Sequence, residues 1–352
     1  MRTVSVLLVM CLCISMAGCS WMDGSYHSVT PHLPEKVDVK QETVTIDSVD
    51  VLPSALLRQV EQGSSSMVFY CRNGDENQLK YAMDQAVYTL ARSNGIYAYA
   101  VDDIVYEVGQ RNSQTVLSVQ ITYLHGKPEL QKIRQAEDMD KVTEIIGETL
   151  DACEAGVVMR VAQFEEMDIA QFVQDYVNAN PQTCMEMPQI AVTVYPDSGA
   201  DRVVELTATY NTSREALRNM QEAVQPVFAA AKSYVDAEAE DEEKYSQLYA
   251  FLMGRDAYTV GTSLTPAYSL LSHGVGDSKA FAAVYAAMCR QSELECRIIS
   301  GTREGEPWCW NVIKIDGVDY HLDLLQSVEN GGFQIKQGSD MAAYVWDYSA
   351  YS

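Results

Sequence analysis

Apolar positions along the chain change period in a repeating order. Met67-Val68-Phe69-Tyr70 is a β-rich run, and Leu79, Ala82, Met83, Ala86, Val87 and Leu90 follow at helical spacing. Strands are expected around 104–108 and 115–123, where Leu117, Val119, Ile121 and Tyr123 alternate with polar residues. A helix is expected from Pro128 to Leu150, since Pro fits a first helical turn. The same order then recurs. Val157-Val158-Met159 reads as a strand, and Ile169, Phe172, Val173, Tyr176 and Val177 form a helix stripe. Strands near 189–195 and 203–210 follow, the second with Val204, Leu206, Ala208 and Tyr210 facing one way. Leu217, Met220, Val224, Val227, Phe228 and Ala231 complete a last helix. Two tandem β-α-β-β-α units are therefore expected, 63–152 and 153–236, each a layer of helices on a half-buried sheet.

A third segment, 237–352, has a different pattern. The acidic run Asp236 to Glu243 reads as a linker that merges into a helix's first turn, where negative charge suits the helix dipole. Tyr245, Leu248 and Leu252 continue that helix. A turn-rich stretch, Tyr268 to Gly276, leads to the capping residues Asp277-Ser278 and a helix with Phe281, Val284, Tyr285 and Met288 on one face. Leu294 to Ile299 is a strand, and 310–315 and 318–323 make a hairpin about Asp316-Gly317, a strong two-residue turn signal. The fold class is α+β throughout.

Ahead of these units, Arg2 precedes an apolar run, Val4 to Met16, ending in Met16-Ala17-Gly18-Cys19. A basic start, a short apolar core and small residues before the cut describe an export signal, residues 1–18. The Ala-Gly-Cys ending resembles the lipobox of bacterial lipoproteins, which implies lipidation of Cys19 and a protein held on the outer side of the cell membrane by its anchor. Residues 19–62, polar and without a sustained period, are then a tether, and His27 and His32 are solvated linker residues.

Charge narrows the partners. Lys and Arg number 25 against 49 Asp and Glu, a formal −24, with no basic stripe for phosphate, so nucleic acid is excluded. With 47% hydrophobic residues the chain buries real cores. Cys11 and Cys13 leave with the signal. Cys71, Cys153, Cys184, Cys289, Cys296 and Cys309 allow fifteen complete pairings, or stay as thiols. No CxxC spacing occurs, so no metal site is expected and no cofactor is implied.

Residues 245–325 carry a recognisable text: Gly274-Val275-Gly276-Asp277-Ser278-Lys279-Ala280-Phe281-Ala282, Trp308-Cys309-Trp310-Asn311, Ile315-Asp316-Gly317 and Tyr320-His321-Leu322-Asp323. It resembles the transglutaminase-like superfamily of papain-like fold, whose members read G-x-G-x-C-x-x-Y-A, then H-A-W-N, an I-D-G turn and Y-H-x-D. The resemblance implies a Cys nucleophile at the helix start, a His base on the first hairpin strand and an Asp that orients it. The chemistry suits those places, because a helix N-terminus and a nearby imidazolium stabilise thiolate.

The triad-equivalent positions here are Ser278, Trp308 and Asp323. Only Asp323 is retained. A serine needs a general base, and Trp donates one N–H and accepts no proton. Counting outward from the turn, residue pairs sum to 633, which makes position 308 the same-face diagonal neighbour of Asp323. The leading expectation is a catalytically silent domain that binds a protein, peptide or cell-wall glycan at the envelope, with Trp308 a cleft contact and Trp346 nearby. The alternative is an acyltransferase or amide hydrolase with Ser278 as nucleophile and His321 or His273 as substitute base. A third is a structural spacer in which the repeats do the work.

Overall fold

The computed structural model describes residues 42–255 and 257–348. The signal segment, Cys19 and tether residues 20–41 lie outside the described residues. The tether read through residue 62 ends sooner than that. Glu42–Ser48 is strand β1, with Val44 and Ile46 turned inward, and Leu52–Gln62 is helix α1, burying Leu52, Leu56 and Val60. Pro53 sits in the first turn of α1, where its missing N–H costs nothing.

These two elements change the frame of the repeat. The first unit continues with β2 (Ser66–Asn73), α2 (Glu76–Ser93), the short α3 (Gly95–Ala100), β3 (Val101–Arg111) and β4 (Gln114–Tyr123). Its sheet runs β1-β2-β4-β3, with β1 parallel to β2 and the other pairs antiparallel. After the one-turn helix α4 (Lys127–Leu130), the second unit is β5 (Arg134–Ala136), α5 (Met139–Asp151), β6 (Gly156–Val161), α6 (Ile169–Ala179), β7 (Gln189–Tyr195) and β8 (Arg202–Thr209). Its sheet has the same plan, β5-β6-β8-β7, again with one parallel pair.

The duplicated motif is therefore β-α-β-α-β-β, one β-α element earlier than the β-α-β-β-α units expected at 63–152 and 153–236. The single helix read over 128–150 is two helices with a three-residue strand between them. Asp138 restarts the chain as a helix by accepting the backbone N–H of Lys141 at 2.9 Å.

The units meet closely. α3 lies on β8 so tightly that a Cβ on Gly95 would stand 2.6 Å from the backbone of Arg202 and Val203. Beside it, Arg160 grips Asp201 through two nitrogens, both 2.9 Å, and Asn94 donates to the same carboxylate at 2.9 Å.

Helix α7 (Arg214–Tyr234), expected to close the second unit, turns Leu217, Val224, Phe228 and Ala231 into the core of the C-terminal segment. That core is continuous with α8 (Asp241–Met253), α9 (Pro266–His273) and α10 (Ser278–Gln291). The acidic run splits, so that Asp241, Glu242 and Glu243 form the first turn of α8. A two-stranded pair, β9 (Thr259–Val260) and β10 (Val275–Gly276), leads to α10. The sheet beneath α10 has the order β13-β12-β11-β14, built from β11 (Cys296–Arg303), β12 (Glu306–Ile315), β13 (Val318–Leu322) and β14 (Tyr344–Trp346). Helix α11 (Leu324–Glu329) follows β13.

The six cysteines are thiols, four of them buried. Among the described residues no helix is long and apolar enough to cross a membrane.

Candidate functional site

Helix α10 is the site's spine. Its residues 280–289 are all buried, and the alanines among them let the sheet and neighbouring helices approach from every side. Asp277 caps it, accepting the N–H of Ala280 at 2.9 Å. Gly274, at φ 66°, ends α9 where a Cβ would press on Ala257 O at 2.9 Å, and so brings the chain round to that cap. Across the sheet, Asp316 and Gly317 both have positive φ, as a tight hairpin turn requires. The β12–β13 pairing, Asn311 with Leu322 through Ile315 with Val318, is the register counted from that turn.

Asp323 stands where β13 gives way to α11. It is 3% exposed and serves as a hub. Its Oδ1 caps α11 by accepting the N–H of Gln326 at 3.1 Å. Its Oδ2 accepts the Trp308 indole N–H at 2.7 Å and the Tyr344 hydroxyl at 2.8 Å. Arg303 approaches the same oxygen at 3.9 Å, and its guanidinium lies 5.4 Å from the Trp308 ring centroid. Burial, followed by the charge of Asp323, pushes the Tyr344 phenol well above its ordinary range, so it stays a donor. Trp308 is thus held between a carboxylate and a guanidinium.

At the opposite end, Ser278 is the first residue of α10, and the capping role its position suggested belongs to Asp277. Its Oγ accepts the backbone N–H of Cys309 at 3.1 Å. β13 reaches only as far as Asn311 along β12, which leaves that N–H beyond the last strand pair. The Cys309 side chain turns toward Ser300, with Sγ and Oγ 3.5 Å apart, and burial raises its thiol pKa.

The imidazoles lie elsewhere. His321 Nδ1 accepts the Trp310 indole N–H at 3.0 Å, and its ring packs 5.0 Å from Trp346. Burial lowers its pKa against the opposing pull of Asp319, which keeps it neutral with Nδ1 as acceptor. Trp310 is fully buried and Trp346 meets it edge-on at 5.5 Å, so both belong to one aromatic cluster. His273 is exposed at the end of α9, its ring 5.3 Å from Tyr268. The fold therefore joins Trp308 to Asp323 and Ser278 to the backbone next to Trp308. It commits His321 to Trp310.

Residues 229–346 match the family profile described as the transglutaminase-like superfamily. This stretch is a transglutaminase-like domain. Among solved structures the chain is similar to a TGase at 8% identity and TM-score 0.27, over 64% of this chain and 66% of that one. It is also similar to a candidate cysteine protease from Cytophaga hutchinsonii, at 18% identity and TM-score 0.26, over 44% and 68% of the two chains. A candidate protease from Parabacteroides distasonis matches at 8% and TM-score 0.24, over 73% and 39%. No curated protein matches the chain.

In this transglutaminase-like domain, the same-face diagonal neighbour of Asp323 offers a donor. Trp308 has no lone pair for a proton, so a proton cannot pass from Ser278 through it to Asp323. Sequence reasoning missed Tyr344 and Arg303, which complete the carboxylate's surroundings. Both come from strand edges brought in by long-range pairing, Arg303 opposite Tyr344, and neither carries a local motif.

Proposed function

We propose that the chain is a lipid-anchored envelope protein whose transglutaminase-like domain is catalytically silent and acts by binding a protein, peptide or cell-wall glycan. One observation carries the catalytic half of this reading: the Trp308 indole donates to Asp323 at 2.7 Å, in the place of the base that Asp would orient. Ser278 Oγ, engaged with the Cys309 N–H, has no imidazole partner among the described residues. The anchoring half rests on the Ala17-Gly18-Cys19 text alone.

A fluorophosphonate probe tests silence on the full chain. No labelling is expected, and labelling that vanishes in Ser278→Ala would make the domain a serine acyltransferase or hydrolase instead. Tritiated palmitate fed to a bacterial host should label the protein, and Cys19→Ala should remove the label.

A further inference from the structure

Among the described strands β3 is the longest, and it stands at the rim of its sheet. Its eleven residues, Val101–Arg111, span about 36 Å of extended chain. In the order β1-β2-β4-β3 one side of it pairs with β4, from Asp103 with Thr122 to Arg111 with Gln114. Among the described residues no strand pairs with its other side. A bare edge presents N–H and C=O groups that another chain can take up as an added strand.

The two faces of β3 differ. Ile104, Tyr106 and Val108 turn to the core of the first repeat unit. Asp103, Val105, Glu107 and Gly109 lie on the opposite face, where Val105 is 58% exposed. Their partners on β4, Thr122, Gln120, Ser118 and Val116, carry no charge. The charges of this face at the edge are therefore Asp103 and Glu107, with Arg111 at the far end. Arg72 of β2, two strands away, is already paired with Asp47 at 3.3 Å. Asp102, which the β3–β4 pairing skips, is exposed beside them. None of these three carboxylates is in an ion pair among the described residues.

Helix α2 borders the same edge. The Tyr106 hydroxyl donates to Asp84, at the middle of that helix. Tyr81 and Tyr88, three residues before Asp84 and four after it, share its stripe and are both exposed. The Arg92 guanidinium lies 3.9 Å from the Tyr88 ring centroid, so one of these rings already carries a cation. Lys80, one turn before Asp84, is the other cation of this flank.

Charge selects the occupant. Lys or Arg side chains on the open face of an added strand meet Asp103 and Glu107, and those on the helix face meet the tyrosine rings. A second copy of the chain does not fit, because antiparallel self-pairing centred on Val105 sets Asp103 against Glu107. The formal charge of −24 likewise repels a copy and attracts a basic partner.

We propose that β3 takes up an extended basic segment of a partner protein as an added strand, with Lys or Arg side chains paired to Asp103 and Glu107. The site lies in the first repeat unit, contains neither Ser278 nor Trp308, and goes beyond the function proposed above.

The test uses the full chain at physiological salt and a fluorescent Thr-rich peptide as long as β3, with Lys-Thr-Val-Thr-Lys at its centre, read by anisotropy. Saturable binding is expected, weakened at least tenfold when Gln replaces Lys or when the protein carries Asp103→Lys with Glu107→Lys. Glu165→Lys with Asp197→Lys, an equal charge change at exposed positions of the second unit, should leave binding within twofold of the parent. Methylation of every peptide nitrogen should abolish binding, because it removes the donors a strand must offer. In the parent protein, saturating peptide should slow amide hydrogen exchange across 101–111. Unchanged exchange there, or equal weakening by the two double variants, would overturn the proposal. So would a dimer of the chain that shields 101–111 without peptide, since a second copy would then be the occupant. Failure here leaves the fluorophosphonate result untouched, since that probe reads Ser278 alone.

Discussion

The two ends of the transglutaminase-like site have fared differently. At the Asp323 end, a buried carboxylate gathers an indole, a phenol, a helix N–H and a nearby guanidinium, tying β11, β12, β14 and α11 together. At the Ser278 end, one hydroxyl accepts one backbone N–H. Where chemistry needs a proton relay, the Asp must leave a place for an imidazole. Here Asp323 accepts from the Trp308 indole, the Tyr344 hydroxyl and the Gln326 N–H, and the carboxylate is a structural anchor. The comparison teaches that a buried carboxylate is kept by the donors that satisfy it, whether or not an imidazole is among them.

The largest effect should come from removing that anchor. Asp323→Ala leaves the Trp308 N–H and the first turn of α11 without their acceptor, leaves the Tyr344 hydroxyl with Gln326 Oε1 alone, and leaves Arg303 with Glu329 as its remaining carboxylate. Breaking a buried, hydrogen-bonded charge in this way costs about 3–5 kcal/mol, measurable as a drop in urea-unfolding free energy. A loss below about 1 kcal/mol, the worth of one ordinary hydrogen bond, would show that the donors do not depend on the carboxylate.

Ser278→Ala should be milder. It removes one acceptor from a part-buried N–H, so about 1 kcal/mol is expected. If the serine variant proved as destabilised as the aspartate variant, the contrast between the two ends would collapse.

Parts of this contrast were legible in the sequence and parts were not. The Asp316-Gly317 turn sets the hairpin register by arithmetic, which places Trp308 beside Asp323. Capping at Asp277-Ser278 was legible as a helix start, though not which residue did the capping. The repeat was visible through its long helices, but its frame was missed. β1 shows only Val44 and Ile46 as inward positions, and β5 is three residues inside a helix-like run. Such edge strands are specified by the parallel neighbours β2 and β6, not by their own period.

The smallest predicted effect separates His321 from both ends. Its imidazole accepts the Trp310 N–H through Nδ1, and burial lowers its pKa from the usual 6.5. Between that lowered value and about 6.5 the unfolded chain binds more protons than the folded one, so stability falls as pH falls. Above about 6.5 the contribution is fully present, and it is lost as pH drops through the folded pKa. The structural reason is direct: a proton on Nδ1 removes the acceptor that, among the described residues, serves the buried Trp310 indole. The urea midpoint should therefore decrease from pH 7 to pH 5.5, and His321→Gln, which keeps an acceptor but does not titrate, should reduce that decrease. A variant with the parental pH dependence would mean that His321 does not titrate against folding. If the decrease disappears instead, the neutral imidazole is the partner that the aromatic cluster depends on.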